Sequence, residues 1–318
     1  MKFHLVRVHR CDKLCNVNHR LNWGRTRFVG GFILALATRA NAECTTPNQG
    51  CFAAETLRLQ PGISDFVTVG PTEITRELDA GFWMSYAYGQ VRIATPSPGP
   101  SAATSYQATG HVFSPTLFVR IPVRRSLELT AIWGAGIQSG AGVSPLSGGL
   151  VTPVGIQSPR LGFSFDLARA LDVPVQWLGR FDMTVPLGRG SDFYGETNVL
   201  FVPSTVIRGN SGIFSFAGSL DLRLRPKVTF LGQDVGTEMG SSFGVGLRIV
   251  EGLSAALEYR NVTSFVGSPT LHEILETVTL RRWKIAMTAS YGNGLTSGFR
   301  SPIHRATVGI SIPLESNL

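Results

Sequence analysis

Hydrophobic and polar residues alternate along many segments of this chain. In "LELTAIWGAGIQ" (127–138), the odd positions are hydrophobic from Leu127 to Ile137, whereas most even positions are polar or glycine. A period of two places the two sets on opposite faces of a β-strand. The pattern recurs in five later segments, which are 160–167, 175–185, 214–224, 283–292 and 305–312. The sequence therefore predicts an all-β protein whose strands each carry one hydrophobic face.

The connections between these segments alternate in length. Short turns lie at "VRRS", "ALDVP", "RGNSG", "EG" and near "RR", which are residues 123–126, 170–174, 208–212, 251–252 and 281–282. Longer stretches rich in Gly, Pro and Ser lie at 94–110, 139–157, 186–197, 226–237, 262–272 and 292–303. Tight periplasmic turns and long outer loops are typical of outer-membrane β-barrels. Six loops and five turns join twelve strands and leave both ends of the barrel periplasmic.

Alternation alone does not say whether the hydrophobic face points inward or outward. A soluble sheet buries that face, whereas a membrane barrel turns it toward lipid. Here the hydrophobic faces are too numerous to fill one small barrel, and the opposite faces carry many glycines and few charges. We therefore predict a closed antiparallel transmembrane β-barrel of about twelve strands, in which every backbone amide finds a partner. A secreted soluble β-barrel or sandwich that binds a small ligand is the alternative.

An amino-terminal leader precedes this pattern. It contains basic residues up to Arg27, an apolar run "FVGGFILALAT" at 28–38 and the small residues "ANA" at 40–42. These three parts in this order predict a cleaved signal peptide, and the apolar run is too short to span a membrane as a helix.

Three regions follow from this reading. We expect a signal peptide at 1–42, a periplasmic N-terminal segment or plug at 43–79, and the transmembrane barrel at 80–318. Export to an oxidising compartment would allow Cys44 and Cys51 to form a disulfide.

The net charge of +8 is located mainly in the leader. Eight of the 29 Lys and Arg residues lie within residues 1–42, where Asp12 is the single acid. The remainder carries 21 basic and 20 acidic residues. A basic patch for nucleic acid therefore has no support in the mature chain.

Charged residues on the polar faces of the strands are expected to point into the lumen. They are Glu128, Arg160, Asp166, Arg180, Asp182, Asp221, Arg223, Arg248, Glu258, Lys284 and Arg305. Their mixed signs favour ion pairs that brace the barrel over a selective ring of one sign, and a path for a small solute is the alternative. A turn centred on Val173 predicts an Asp166–Arg180 ion pair, whereas one centred on Leu171 sets Asp166 against Gln176.

The sequence contains no recognisable catalytic, cofactor or metal motif. Beyond the leader the histidines are His111, His272 and His304, and none belongs to a nucleophile motif. We therefore predict a non-enzymatic protein, with a barrel lipid hydrolase as a distant alternative. Seven aromatic residues are candidates for the girdles at the membrane interfaces, namely Trp83, Tyr86, Tyr88, Trp133, Trp177, Tyr259 and Trp283.

Three stretches carry a resemblance to a known family. They are "DFVTVGP" (65–71), "GFWMSYAYG" (81–89) as the first strand, and the ending "YGNGLTSGFRSPIHRATVGISIPL" (291–314). Together they resemble the barrel domain of OmpA-like outer-membrane proteins, particularly longer variants treated as transporters. The resemblance implies a narrow porin-like transporter or a structural barrel. Its expected partners are outer-membrane lipid, the barrel-assembly machinery and a small solute.

Two features depart from the OmpA-like pattern. We expect no periplasmic peptidoglycan-binding domain after the barrel. The closing strand also ends on Pro313 and Leu314, where an aromatic residue is usual. The resemblance therefore does not imply attachment to the cell wall.

Overall fold

A computed structural model describes residues 57–95, 104–139, 153–187, 194–196, 198–230, 233–267, 270–296 and 300–314. The elements in these ranges are β1 (Leu78–Thr95), β2 (Thr104–Arg124), β3 (Leu127–Ser139), β4 (Val154–Ile156), β5 (Arg160–Asp166), α1 (Leu167–Leu171), β6 (Gln176–Thr184), β7 (Leu200–Ser211), β8 (Phe214–Arg223), β9 (Val228–Phe230), β10 (Gln233–Val235), β11 (Glu238–Val250), β12 (Leu253–Ser264), β13 (Leu271–Arg282), β14 (Ile285–Gly294) and β15 (His304–Leu314). The predicted all-β class is confirmed. No helix within these ranges is long and apolar enough to cross a membrane.

Twelve of these strands form one closed antiparallel barrel. They are β1, β2, β3, β5, β6, β7, β8, β11, β12, β13, β14 and β15. Neighbours in this order pair with each other, and β15 pairs with β1 from Leu78↔Leu314 to Tyr88↔His304, which closes the ring. The short β4 extends the sheet beside β3, and β9 and β10 form a separate hairpin. The prediction of about twelve strands is confirmed.

The hydrophobic face of the barrel points outward. On β3, Leu129 and Trp133 are 47% and 58% exposed, whereas Glu128 and Thr130 are buried on the inner face. Large exposed hydrophobic side chains recur at alternate positions around the ring. An outward hydrophobic surface of this extent is suited to lipid, so the arrangement favours a membrane barrel over the soluble alternative.

The two ends of the barrel differ in their connections. We call the end with short connections the turn end and the opposite end the loop end. At the turn end, Gly252 adopts a φ of +79°, and a Cβ there would lie 2.3 Å from the carbonyl oxygen of Arg281. This turn therefore requires glycine, because any side chain would meet both a strained backbone and a steric clash.

A segment without strands or helices fills the interior. Residues 57–77, which we call the plug, are the described part of the predicted N-terminal segment 43–79. The plug begins at the loop end near Leu57, reaches the turn end at Asp65 and returns to mid-height at Val67 and Thr68. It is at the turn end again near Thr75 and then continues into β1. Residues 1–56, which include the predicted signal peptide and both Cys44 and Cys51, lie outside the described residues.

Inward-facing glycines of the barrel make room for the plug. The ring of Phe66 is 1% exposed and packs on β11, where a Cβ at Gly244 would lie 2.5 Å from Phe66 Cδ1. On β15, a Cβ at Gly309 would lie 2.6 Å from Ile63 Cδ1. The glycines on the polar faces of these strands thus have a structural reason, because a larger residue would exclude the plug.

Hydrophobic residues of the plug also contact the barrel wall. Two buried clusters join them to the strands, one made of Leu57, Leu59, Ile63, Val67, Trp83, Phe118 and Ile132, the other of Phe66, Val69, Val206, Ala217 and Ala256. The core of this protein is therefore a contact between plug and wall within the lumen.

Candidate functional site

The lumen is the candidate functional site, because its wall and the plug carry nearly all the buried charges. Of the predicted lumen residues, eight point into it, namely Glu128, Arg160, Arg180, Asp182, Asp221, Arg223, Glu258 and Arg305. They do not form one ring of a single sign. They take part in three groups, at the turn end, at mid-height and at the loop end.

Three predicted lumen residues lie elsewhere, and this part of the expectation was wrong. Asp166 ends β5 and caps α1, where it accepts a hydrogen bond from the backbone N–H of Arg169 at 3.0 Å. Arg248 is exposed at the turn end and donates to the carbonyl oxygen of Gly212 at 3.2 Å. Lys284 is exposed in the turn between β13 and β14. In each case the strand pattern was extended past the end of the lumen.

The predicted Asp166–Arg180 ion pair was also wrong. Ser164 lies opposite Arg180, and Asp166 lies opposite Leu178, so the hairpin is centred on Asp172. Neither Val173 nor Leu171 is the centre, because α1 occupies the connection and Asp172 ends it with a φ of +53°. Arg180 instead donates to the carbonyl oxygen of Val69 in the plug at 3.3 Å.

At the turn end, Asp65 of the plug binds three residues of the wall. Its carboxylate lies 2.6 Å from Arg208 Nη2 and 2.5 Å from Arg281 Nη1, and it accepts a hydrogen bond from Ser254 Oγ at 2.7 Å. Burial alone would raise the pKa of Asp65, but Arg281, Ser254 and Arg208 outweigh burial and lower it below its ordinary value. Asp65 therefore anchors the plug as a carboxylate.

A second turn-end anchor surrounds Arg120 on β2. Arg120 Nη2 lies 2.9 Å from Glu128 Oε2 and donates to the carbonyl oxygen of Glu73 at 2.6 Å. Arg120 Nη1 lies 3.4 Å from Asp79, and Glu128 also accepts from the backbone N–H of Thr75 at 2.9 Å. The exit of the plug is thus fixed by charge-assisted hydrogen bonds. Sequence reasoning missed Arg120, because Pro115 and Pro122 obscure the alternation of β2.

At mid-height, Glu258 on β12 receives the backbone of the plug. Its carboxylate accepts hydrogen bonds from the N–H groups of Val67 at 2.8 Å and Thr68 at 2.7 Å. The hydroxyls of Thr68 and Thr277 donate to it at 2.6 and 2.7 Å. Glu258 is 0% exposed, and these four donors replace the hydration that burial removes.

At the loop end, arginines and carboxylates form a dense network. Glu238 accepts from Arg225 Nη2 at 2.5 Å and from Arg300 Nη1, and it lies 3.8 Å from Arg223 Nη1. A second acid of the network, Glu273, binds both Arg260 and Arg305, with distances of 2.7 and 3.0 Å.

Sequence reasoning named only part of this loop-end network. Residues that it missed are Glu196, Arg225, Glu238, Arg260, Glu273 and Arg300. Several lie in or beside loops, where no alternation of hydrophobic and polar residues shows which side chains point into the lumen. The Arg260–Glu273 pair could have been found from the β12–β13 register, in which the two residues are directly opposite.

A cavity of about 110 Å³ lies between the loop end of the plug and the wall. We call it the loop-end cavity. The ring of Tyr194 borders it and packs on glycines, since a Cβ at Gly136 or Gly155 would lie within 2.2 Å of that ring. Its charged lining residues are Arg58, Arg160, Glu196, Arg223, Arg225 and Arg300.

The three described histidines contact tyrosines at the outer surface. The Tyr–His pairs are Tyr86–His111 at 2.8 Å, Tyr259–His272 at 2.5 Å and Tyr291–His304 at 3.0 Å, each between the hydroxyl and Nδ1. These pairs lie toward the loop end of their strands, on the outward face. An amphipathic ring with a polar tip is suited to a membrane interface.

One of the predicted girdle residues is misplaced. Trp83 is 2% exposed and points inward, where its indole N–H donates to the carbonyl oxygen of Gln60 in the plug at 3.1 Å. By contrast, Trp133 is 58% exposed on the outward face, and Trp283 is 86% exposed at the turn end. Trp83 was misassigned because β1 has bulky residues on both faces, so the sequence does not show which face points into the lumen.

Comparison with known proteins supports the fold. No protein-family model matches the chain, and no curated protein sequence matches it either. An outer-membrane channel from Pseudomonas putida F1 is similar in structure, with a TM-score of 0.56 and 12% sequence identity over 81% of this chain and 100% of that chain. The chain therefore has the fold of an outer-membrane β-barrel channel.

Two porin structures are more distant matches. The NanC porin has a TM-score of 0.46 and 10% identity over 74% of this chain and 100% of its own. The KdgM porin in complex with disordered oligogalacturonate has a TM-score of 0.45 and 9% identity over 75% of this chain and 99% of its own. The OmpA-like resemblance stays a prediction, because the supported statement is the broader class of outer-membrane barrels.

Proposed function

We propose that this protein is a narrow porin-like channel of the bacterial outer membrane whose lumen is closed by the plug. The observation that carries the proposal is the independence of plug and barrel. Each of the twelve barrel strands pairs with two other barrel strands, and the plug contributes no strand to the sheet. Displacement of the plug would therefore break its contacts with side chains of the wall, while the backbone hydrogen bonds between the barrel strands stay intact.

The contacts of the plug are suited to reversible closure. Its polar anchors are concentrated at Asp65, at Glu258 and around Arg120, and each consists of a few charge-assisted hydrogen bonds. A displaced plug would uncover charged and hydroxyl side chains of the wall, which suit a water-filled path. It would also uncover the hydrophobic wall residues of the two clusters, among them Trp83, Phe118 and Val206, so displacement has a cost in hydrophobic burial. A small polar solute is the expected cargo.

The remaining partners follow from the outer surface. The exposed hydrophobic residues face outer-membrane lipid, and insertion there calls for the barrel-assembly machinery. A non-enzymatic role is supported by the histidines, because all three described ones bond to tyrosines on the outward face. Kinship with OmpA-like barrels is part of this proposal and rests on the sequence resemblance.

Conductance in planar lipid bilayers tests the channel function. Asp65→Asn removes the charge of one of the two turn-end anchors, so we expect conductance steps several-fold larger or more frequent than in the wild type. The matched control is Asp234→Asn, the same substitution on the exposed β9–β10 hairpin, where Asp234 pairs with Lys227 at 2.7 Å. The control should behave like the wild type. Absence of any step in both wild type and Asp65→Asn would instead favour a structural barrel.

A further inference from the structure

The loop-end cavity has an unusual lining. Five arginines and one glutamate border it, and Arg58 belongs to the plug whereas the others belong to the wall and its loops. Its volume of about 110 Å³ is sufficient for several water molecules or for one small polyatomic ion. The hydroxyls of Ser85 and Thr184 are also part of the lining.

Several hydrogen-bond donors at this cavity have no partner among the described residues. They are Nε and Nη2 of Arg58, Nη1 of Arg160, Oγ of Ser85 and Oγ1 of Thr184. Ser85 and Thr184 are buried, with 3% and 5% exposure. A buried donor without an acceptor is costly, and such groups are rare in folded proteins. Four side chains with this property line one cavity, which makes it a candidate site for an acceptor.

The charges around the cavity do not balance at Arg58 and Arg160. Arg225 and Arg300 bind Glu196 and Glu238, and Arg223 binds Asp221 at 2.9 Å. Near the other two arginines the carboxylates are Asp182 and, beside Arg58, Asp221, which is already bound to Arg223. Asp182 Oδ2 lies 3.7 Å from Arg58 Nη2, too far for a hydrogen bond, and has no hydrogen-bond partner among the described residues. Arg160 donates to the backbone carbonyl of Leu59 in the plug. A positive charge therefore remains on this side of the cavity.

We propose that the loop-end cavity binds a small oxyanion, which is a phosphate or carboxylate group of a solute, between Arg58 and Arg160. Guanidinium groups match the oxygens of both anions, and the hydroxyls of Ser85 and Thr184 complete the set of donors. The low dielectric of the buried site strengthens these contacts. The inference rests on the proposed function, because it makes the cavity the first binding station for a solute that enters from the loop end.

The proposal also links the ligand to the plug. Arg58 is the second described residue of the plug, so an anion held between Arg58 and Arg160 bridges plug and wall. Binding therefore involves the same segment that closes the lumen. The positive charge of this site would repel a cation, so a cation is not expected to bind.

Isothermal titration calorimetry on the whole detergent-solubilised protein tests the site, with inorganic phosphate and succinate as the two probes. We expect saturable binding of at least one anion, weakened by increasing NaCl. Arg58→Gln and the pair Ser85→Ala/Thr184→Ala should each weaken it ten-fold or more. Arg124→Gln, at the exposed turn end, is the matched control and should bind as the wild type does. The heat-dependent gel mobility of each variant reports whether its barrel has formed.

Two results would overturn the proposal. One is the absence of saturable binding of either anion by the folded wild type, which would mean that the cavity holds water only. The other is undiminished affinity in both folded cavity variants. Because binding is measured without transport, anion binding by a barrel that does not conduct would refute the channel function and leave this site standing. Conductance without anion binding would support the channel function and refute the anion site.

Discussion

Glu258 and Glu276 lie on neighbouring strands, yet their surroundings are opposite. Glu258 points into the lumen and accepts four hydrogen bonds, two of them from the backbone of the plug. Glu276, near the middle of β13, is exposed on the outward face, with Leu257 and Tyr291 beside it in register. The same carboxylate is thus stabilised by donors at one position and faces hydrocarbon at the other, where a charge is unfavourable.

Replacement of each glutamate by glutamine should therefore change stability in opposite directions. Glu258→Gln loses acceptor capacity for four donors and should lower the free energy of unfolding by about 1–3 kcal/mol. Glu276→Gln removes a charge from the lipid face and should raise it, by less than the ~2–4 kcal/mol known for arginine or lysine at the midplane. Urea unfolding in lipid vesicles measures both. Equal destabilisation by the two substitutions would show that Glu276 does not face lipid.

At the scale of elements, the sequence predicts the positions of the strands well. It predicts their register and the faces on which their side chains lie less reliably. Alternation identified β3, β5, β6, β8, β14 and β15, because one face of each meets lipid and the other a polar lumen. The register of the β5–β6 hairpin was missed because α1 has no hydrophobic periodicity that distinguishes it from a turn. The plug was recognised only as an alternative, since its contacts join residues far apart in the sequence, such as Val67 and Glu258.

The plug should also respond to pH through Asp65. Its pKa is lower in the folded protein than its ordinary value, so the anchor stabilises the plug above the unfolded pKa. That stabilisation is lost as the pH falls through the lowered, folded pKa. We expect wild type and Asp65→Asn to differ in bilayer conductance at pH 7 and to converge at acidic pH, where the aspartate is protonated. A difference that does not shrink as the pH is lowered stepwise below about 4 would contradict this role of Asp65.

At the scale of the whole molecule, the closed ring determines stability. The seam between β1 and β15 extends over eleven residue pairs, so no strand of the barrel has an unpaired edge. The overall architecture could be predicted because loop and turn lengths alternate along the whole chain. The loop-end network could not, because it is assembled from loops whose positions depend on the finished barrel.

The closed ring should be visible on a gel. Unheated protein in sodium dodecyl sulfate should keep its barrel and migrate differently from heated protein, because each strand of the wall is hydrogen-bonded to two neighbours. Electrophoresis of the two samples side by side measures this. Identical mobility before and after heating would argue against a closed barrel.

The threaded plug has a consequence for the order of assembly. It runs lengthwise through the barrel and is covalently continuous with β1, the strand whose pairing with β15 closes the ring. Phe66 and Ile63 fill hollows left by glycines on β11 and β15, which are among the later strands in the chain. If the barrel closed around an empty interior, these bulky side chains would have to enter afterwards through one of its two open ends. The simplest order is that later strands wrap around the plug, so residues 57–77 serve as a template for the final pairing of β1 with β15.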